Sequence, residues 1–455
     1  MFYLHSTECV PKDLMCEIQI HIEKESLKTS KFNCDLWINE NILLFNWDNV
    51  YKKIKCSNKF DVKDLKSLII NYNRSASDIS FEIPCLPSDK KEKVPDKKYV
   101  YDNNGDTFDI LKMKKITDTC ILKVDGVETP IETSYNYGFN GNYFEDTTML
   151  KTDLKPICQI RNPSHKSAID RFCKRERDEY KDFSQDQYKL NFIELQVPDG
   201  HENPMNYTFN LNDSNLSSKE EYTLKTICSK SSFCFNEHNR QRIDNELIGI
   251  LLAICYDVRT NGGEQNCESA WTRTILSPAL SYFEPTLNLE SAIEIFCRRS
   301  LIYPLYRNYD LGRLCVEDAI HALQKGFKWI LKQLILTYYS FLECEDSRQL
   351  LNKYFIEDYI IYVNTVATPD NFKFLAKNLK NSFLRVSKKS LRLQLLEIET
   401  ELLKELISDI HLTNSDDSDD ENESSSDDEI DNDLFSSDDE TNEKTSGSTN
   451  NKYYK

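Results

Sequence analysis

Glycine is scarce in this chain, at 11 of 455 residues. Enzymes that bind phosphates or dinucleotides depend on glycine-rich loops, because glycine lets the backbone approach the ligand closely. The P-loop, Rossmann, His-Glu-x-x-His and Gly-x-Ser-x-Gly patterns are all missing from the sequence, although an acid pair built from distant positions would escape such a search. The sequence therefore favours a protein-binding chain without a cofactor over an enzyme.

Long apolar runs and closely paired cysteines are also missing. No stretch of 18 apolar residues occurs, so we expect no membrane span. The first residues lack the basic and apolar regions of a signal peptide. The 15 cysteines include no Cys-x-x-Cys pair, which indicates reduced thiols in the cytosol, the nucleus or both.

One group of residues has the elements of a metal site. Cys228, Cys234 and His238 are spaced C-x5-C-x3-H. Structural zinc needs four ligands and usually tighter pair spacing, and no fourth ligand lies nearby. We therefore predict ordinary thiols and a surface histidine here, and no metal.

The negative charge is concentrated near the C-terminus. The net charge is −18, and residues 415–443 contain 15 acidic residues and no basic one. The rest of the chain is thus nearly neutral. Because dense like charge and few apolar residues cannot offset chain entropy, residues 413–455 are predicted to form a disordered acidic tail.

Three serines in this tail are each followed by Asp-Asp-Glu, namely Ser418, Ser426 and Ser437. Acidophilic kinases of the casein type prefer this pattern, and phosphorylation would add negative charge. The tail has two open interpretations: it occupies a basic surface on a partner, or it only solubilises the chain.

Residues 1–86 have the pattern of an antiparallel β-sandwich. Cys16–Glu23 alternates between apolar and polar residues, which is typical of a strand with one wet face. Two further apolar runs, Cys34–Ile38 and Ile42–Trp47, flank a hairpin signal, and more short runs follow. Residues 87–136, rich in Lys, Asp and Pro, are predicted to be a linker.

Residues 137–412 are predicted to form a large all-α domain. Apolar residues return every three or four positions in Ser167–Glu194, and Leu247–Tyr256 is nearly all apolar, as in a buried helix. Thr368-Pro369 is a helix start, because a cap residue precedes a first-turn proline. The fold class is therefore multidomain: a β-sandwich, an all-α domain and an acidic tail.

The segment Phe296–Asn308 (FCRRSLIYPLYRN) concentrates arginine and aromatic residues. Such residues dominate protein interfaces, so the segment is a candidate partner-contact surface. Alternatively, its arginines pair with carboxylates inside the domain, because a buried arginine is costly without a partner. Trp271 is open to the same two interpretations, core or contact.

A series of short motifs runs in order along residues 137–362. It comprises Tyr137-Gly138-Phe139, Tyr256-Asp257, Arg259-Thr260, Glu268–Trp271, Leu276–Pro278, Arg298–Asn308 and Asn352–Tyr359. This series resembles the Shq family of H/ACA ribonucleoprotein assembly factors, whose members combine a CS-type sandwich with a family-specific helical domain. The CS-type strand motif is the weaker part, since this chain has Val50-Tyr51-Lys52-Lys53-Ile54 there.

The resemblance implies a chaperone that holds the free pseudouridine synthase subunit of H/ACA particles, a dyskerin-like protein, in the nucleoplasm and cytoplasm. It implies that the chain covers the RNA-binding surface of the synthase as an RNA mimic, without binding nucleic acid itself. The alternative is a general CS-domain co-chaperone of a large ATP-driven chaperone. The partner-binding candidates are Trp271, Arg298, Arg299, Tyr303, Tyr306, Arg307, Asp358 and Tyr359.

Overall fold

A computed structural model describes most of the chain. The described residues are 4–12, 15–22, 34–47, 50–56, 58–61, 68–86, 114–116, 120–129, 131, 135–144, 157–195, 203–230 and 232–416. The chain divides into a compact unit, Met1–Thr400, and a C-terminal unit, Glu401–Lys455. Ser418, Ser426 and Ser437 lie outside the described residues, as does most of the predicted tail.

The N-terminal part of the compact unit consists of β-strands. Their bounds are β1 Leu4–Lys12, β2 Met15–Ile22, β3 Cys34–Asn39, β4 Ile42–Trp47, β5 Val50–Lys55, β6 Leu68–Asn73, β7 Asp78–Pro84, β8 Lys114–Lys115, β9 Cys120–Val124 and β10 Val127–Thr129. They form a sheet in the order β1-β2-β7-β6-β9-β10 and a second sheet in the order β5-β4-β3-β8.

The two sheets pack face to face around one apolar core, which confirms the predicted sandwich. Alternate residues of β2 (Cys16, Ile18 and Ile20) are buried there, as the period-two pattern predicts. From the opposite sheet, Phe45 meets Phe81 with ring centroids 5.7 Å apart. Among the described strands, β6 pairs with β9 in parallel and the other pairs are antiparallel.

The predicted linker is wrong in its second half. Strand β8 pairs with β3, and β9 pairs with β6, so residues 114–129 complete both sheets. The signal was present in the sequence, because Asp125-Gly126 is a strong hairpin turn and both residues adopt positive φ. Residues 87–113 lie outside the described residues.

The rest of the described chain is helical, which confirms the predicted fold class. The helices are α1 Ala168–Asp182, α2 Gln185–Glu194, α3 Ser218–Cys228, α4 Arg240–Thr260, α5 Ser269–Leu276, α6 Pro278–Ser281, α7 Leu289–Ser300, α8 Tyr309–Lys325, α9 Phe327–Glu343, α10 Gln349–Leu351, α11 Glu357–Ile361, α12 Pro369–Phe383 and α13 Leu395–Asp416. Helix α13 ends at Asp416, so the last helix runs beyond the predicted boundary at residue 412.

Local sequence signals fix several of these helix starts. Ser167 accepts a hydrogen bond from the backbone of Asp170 and forms a capping box before α1. Thr368 caps α12 in the same way, and Pro369 occupies its first turn, as predicted. Helix α4 lies at the centre of the helical core, and residues 247–258 of it are buried throughout.

The helical run that contains α10 and α11 includes two π-helical turns, Asn352–Ile356 and Tyr362–Val366. Each π turn has a wider hydrogen-bonded ring than an α turn, so it rotates the following side chains. Tyr354, Tyr359 and Tyr362 are all fully buried in the main core.

Among the described residues, no helix is long and apolar enough to cross a membrane.

The β-sandwich packs directly on helix α1. Trp37 of β3 and Leu44 of β4 form an apolar cluster with Ile169 and Cys173 of α1. These strand residues face away from the sandwich core, yet Trp37 is only 7% exposed. The helix therefore covers the outer face of the smaller sheet.

A buried carboxylate strengthens this contact. Asp35 is fully buried and accepts a hydrogen bond from Tyr135 Oη at 2.7 Å. Lys115 Nζ lies 3.0 Å from Asp35 and 3.2 Å from Asp170 at the start of α1. Burial alone would lower the pKa of Lys115, but the two carboxylates outweigh it and raise that pKa.

Candidate functional site

A network of buried charges lies below the segment Phe296–Asn308. The carboxylate of Glu179 in α1 accepts hydrogen bonds from Arg175 Nη1 at 2.9 Å, Arg298 Nε at 2.9 Å and Arg299 Nη1 at 3.0 Å. Arg175 also forms a two-pronged pair with Glu284, at 2.7 Å and 3.2 Å. The network ties α1 to α7 and to the residues after α6.

Backbone carbonyls accept further hydrogen bonds from the two α7 arginines. Arg298 Nη1 donates to the carbonyl of Leu391 at 2.7 Å, and Arg299 Nε donates to the carbonyl of Ile275 at 2.6 Å. The Arg299 guanidinium lies over the rings of Tyr282 and Tyr303. Internal partners of this kind offset the cost of burying an arginine.

The electrostatics confirm that this network is structural. Burial alone would raise the pKa of Glu179, but the three guanidiniums outweigh it and lower that pKa to about 2. Arg299 has no exposed surface and Arg298 is 7% exposed. Both arginines pair internally with Glu179, as the alternative interpretation expects, and a partner contact by either one stays a prediction.

The turn that follows α7 is exposed, in contrast to the buried arginines of the helix. Leu305 is 73% exposed, and Tyr303, Tyr306 and Arg307 are each partly exposed. We call these four residues, with Pro304, the 303–307 turn. The turn joins helix α7, which carries Arg298 and Arg299, to helix α8.

Several hydrogen bonds hold the 303–307 turn in place. Tyr256 Oη donates to the carbonyl of Tyr306 at 2.7 Å, and the Arg307 amide donates to Asn191 of α2 at 3.1 Å. Tyr303 Oη lies 3.3 Å from Asp182 at the end of α1. The turn is thus an exposed group of side chains on a rigid support.

Arg307 has an unusual environment within this turn. Its Nε donates to the carbonyl of Pro304, and it forms no ion pair with any carboxylate in the part of the chain that the structure describes. Burial lowers its pKa. An arginine held without a counter-ion at an exposed turn has donors available for an external acceptor.

The other two candidates in the motif series are internal. Tyr359 is fully buried and donates to Glu246 Oε2 at 3.0 Å. Asp358 is 8% exposed, 3.3 Å from Tyr143 Oη, and burial raises its pKa to about 6. Both side chains therefore have internal hydrogen-bond partners in this structure, and their role as partner contacts stays a prediction.

Trp271 has an intermediate position. It lies on α5 and is partly exposed, and it is absent from the hydrophobic clusters of the described residues. Its neighbour Arg273 is fully buried and donates to Asp257 at 2.7 Å. The motif around Trp271 therefore combines an internal ion pair with a side chain that keeps some accessible surface.

The cysteines of the C-x5-C-x3-H spacing differ in environment. Cys234 is exposed, while Cys228 accepts a hydrogen bond from Asn364 Nδ2 at 3.5 Å and burial raises its pKa. The side chain of His238 lies outside the described residues. Within the described residues, no three His, Cys, Asp or Glu side chains are grouped as metal ligands would be.

Sequence reasoning missed the acidic half of the network. Arg175 and Glu179 are four residues apart on α1, a spacing that places them on one helix face. That spacing was visible, but Glu284 and the α7 arginines are more than 100 residues away along the chain. The accessible candidates that remain are Trp271, Tyr303, Tyr306 and Arg307, and the structure adds Leu305.

Known proteins resemble this chain, most specifically in its helical part. A family model described as "SHQ1 protein, Shq1 domain" matches residues 207–395. A Drosophila melanogaster protein named "Protein SHQ1 homolog" is 34% identical over 437 residues, covering 86% of this chain and 71% of that protein. The Mus musculus protein of the same name is 30% identical over 297 residues, and the match spans 61% of this chain and about half (51%) of that relative. The Schizosaccharomyces pombe "Protein shq1" is 27% identical over 259 residues, covering 54% of this chain and 56% of that protein.

These matches include both the helical domain and, in the fruit-fly relative, most of the chain before it. With a relative 34% identical over 71% of that relative's length, the chain belongs to the SHQ1 family.

Proposed function

We propose that this chain is an assembly chaperone for H/ACA ribonucleoproteins that binds the free, dyskerin-like pseudouridine synthase and covers its RNA-binding surface. Membership of the SHQ1 family supports the assembly role. The observation that carries the contact itself is the 303–307 turn, where a family motif places a 73% exposed leucine on a rigid support.

Rigidity matters for affinity. A surface that is already ordered loses little conformational freedom on binding, so more of the contact energy appears as affinity. The Glu179 network and the Tyr256 and Asn191 hydrogen bonds fix the turn before a partner arrives. Leu305 and Tyr306 would then act as apolar anchors, and Arg307 would donate to a partner oxygen.

The two helices that hold this turn carry exposed acidic side chains, and Asp182 lies 3.3 Å from Tyr303 Oη. Asp182 at the end of α1 and Asp186 and Glu194 of α2 are exposed. A surface that binds RNA is rich in lysine and arginine, and complementary charge favours the correct encounter. Acids on the supporting helices therefore suit a protein that takes the place of RNA.

The test measures binding of the full chain to recombinant synthase, with guide RNA as competitor. We expect Leu305→Asp to weaken binding by about 30-fold or more, the effect of losing an interface hot spot. Leu287→Asp is the matched control, because Leu287 is also exposed, at 60%, but lies before α7. Both variants should keep the circular dichroism spectrum of the native chain.

Two results would contradict the proposal. Equal binding by Leu305→Asp and the native chain would remove the turn from the interface. Absence of synthase binding, together with nucleotide-dependent binding of the full chain to an ATP-driven chaperone, would favour the general co-chaperone function.

The proposal extends to the rest of the chain in three respects. It places the protein in the nucleoplasm and cytoplasm, which a fluorescent fusion would test. It requires no catalytic group and no cofactor. Phosphorylation at Ser418, Ser426 and Ser437 by an acidophilic kinase would increase electrostatic steering toward a basic partner.

A further inference from the structure

One part of this acidic protein is uniformly cationic. Every charged side chain between Asn371 and Leu396 is a lysine or arginine, in a chain whose net charge is −18. These residues are Lys373, Lys377, Lys380, Arg385, Lys388, Lys389 and Arg392. They lie on helix α12 and on the loop that connects it to α13.

Only some of these cations are neutralised internally. Four of the seven form ion pairs: Lys388 with Glu399 at 2.6 Å, Arg385 with Glu290 at 2.7 Å, Lys373 with Asp370 at 3.4 Å and Arg392 with Glu176 at 4.0 Å. Lys377, Lys380 and Lys389 are exposed and form no ion pair with any residue that the structure describes. The surface therefore keeps a net positive charge after its internal pairs are counted.

Helix α12 also exposes apolar side chains beside these lysines. Its inner stripe, Phe372, Leu375 and Leu379, is buried. On the outer side, Phe374 is 67% exposed, and Leu384, just after the helix, is 78% exposed. An amphipathic helix normally reserves its outer face for polar residues, so two large exposed apolar groups indicate a binding surface.

The helical period brings these residues together. At 100° per residue, Lys373, Phe374, Lys377, Lys380 and Leu384 fall within an arc of about 120° on the outer side. We call these five residues the cationic face. The loop after the helix has a cavity of about 320 Å³ of its own, lined by Lys388, Lys389, Arg392, Gln394, Leu395, Leu396 and Glu397.

We propose that the cationic face binds an acidic polypeptide segment that carries an apolar side chain. Opposite charge selects the segment, and its apolar residue would cover Phe374 and Leu384. Single-stranded nucleic acid fits less well, because a base would stack on Phe374 but neither base nor phosphate gains from covering Leu384. The face is also distinct from the synthase surface proposed above, since a basic RNA-binding surface would repel it.

The test uses the full chain and a labelled 16-residue peptide of Asp and Glu with a central Leu-Phe pair, followed by fluorescence anisotropy. We expect Lys377→Glu/Lys380→Glu to weaken peptide binding by about tenfold or more, with the effect decreasing in high salt. Lys225→Glu/Lys328→Glu is the matched control, because it changes the net charge equally at exposed lysines of α3 and α9. It should bind the peptide within about twofold of the native chain.

The apolar contribution has its own variants. Phe374→Ser/Leu384→Ser should weaken binding of the Leu-Phe peptide several-fold. The same double variant should bind a peptide with Ala-Ala in place of Leu-Phe as tightly as the native chain does. Equal loss in both lysine double variants would mean that binding follows net charge alone and would overturn the assignment to this face.

Other ligands decide between classes of partner. A uridine 12-mer or vesicles containing phosphatidylserine that bind more tightly than the peptide, with no dependence on Phe374 and Leu384, would overturn the polypeptide assignment. Unchanged synthase binding by Lys377→Glu/Lys380→Glu would separate this site from the proposed synthase contact. Loss of synthase binding instead, with peptide binding intact, would contradict the proposal.

Discussion

The Glu179 network makes a strong prediction about stability. Glu179→Gln keeps the size of the side chain but removes the charge that pairs with three guanidiniums at 2.9–3.0 Å. Breaking a buried ion pair from one side leaves uncompensated charge in the interior and costs about 3–5 kcal/mol. Because Arg175, Arg298 and Arg299 have almost no exposed surface, they cannot turn to water without opening the helical domain.

The pKa gives a second measure of the same effect. The pKa of Glu179 falls from 4.5 to about 2 in the folded chain, which corresponds to about 3 kcal/mol of stabilisation at neutral pH. Since the folded pKa is the lower one, this contribution is complete above about pH 4.5 and is lost as the pH falls toward 2. In Glu179→Gln that acid-dependent loss should be missing.

The assay is urea unfolding of the full chain, followed by circular dichroism between pH 3 and pH 7. Glu290→Gln is the matched control, because Glu290 pairs with Arg385 at 2.7 Å in a partly exposed position. Its loss should cost about 1 kcal/mol or less. A Glu179→Gln midpoint equal to that of Glu290→Gln would refute the argument that the network stabilises the fold.

Other perturbations address single contacts. Asp358→Asn should raise the free energy of unfolding at pH 7 by up to about 3 kcal/mol. The pKa of Asp358 in the folded chain, about 6, exceeds the ordinary 3.8, so the native chain loses stability as the pH rises between these two values. A gain in stability that persists at pH 4 would contradict this. Gly138→Ala should lower the free energy of unfolding by more than about 2 kcal/mol in a thermal melt, because the added Cβ would lie 2.5 Å from the Tyr143 ring. Gly126→Ala is the control: Gly126 also has a positive φ, but no atom lies near its added Cβ, so the cost should be about 1 kcal/mol. Trp37→Ala should cost about 3–5 kcal/mol and expose the contact between sandwich and α1 to proteases; unchanged cleavage would assign that contact a minor role.

Local patterns were sufficient to predict most of the fold. Strict alternation in β2, the hairpin between β3 and β4, and the cap at Thr368 are all short-range signals, and each element occurs as predicted. The Asp125-Gly126 turn is a signal of the same kind that was overlooked. The pairing of β9 with β6 was beyond sequence reasoning, because parallel strands meet through long connections.

The candidate site divides along the same line. The cost of burying an unpaired arginine correctly indicated that Arg298 and Arg299 would find carboxylates. Which carboxylate they share depends on how α1 and α7 pack, and no local pattern contains that information. Exposure of Leu305 is likewise a tertiary property, since leucine is more often buried.

The late position of β8 and β9 in the chain has a consequence for synthesis on the ribosome. Until residues 114–124 have emerged, the inner edges of β3 and β6 have no neighbouring strand. Asp35 would also lack Lys115 during that interval. A nascent chain, or a fragment cut at residue 86, would therefore present two open sheet edges, a condition that favours strand-to-strand aggregation. Strands β8 and β9, which lie in the predicted linker, therefore cover the edges of β3 and β6.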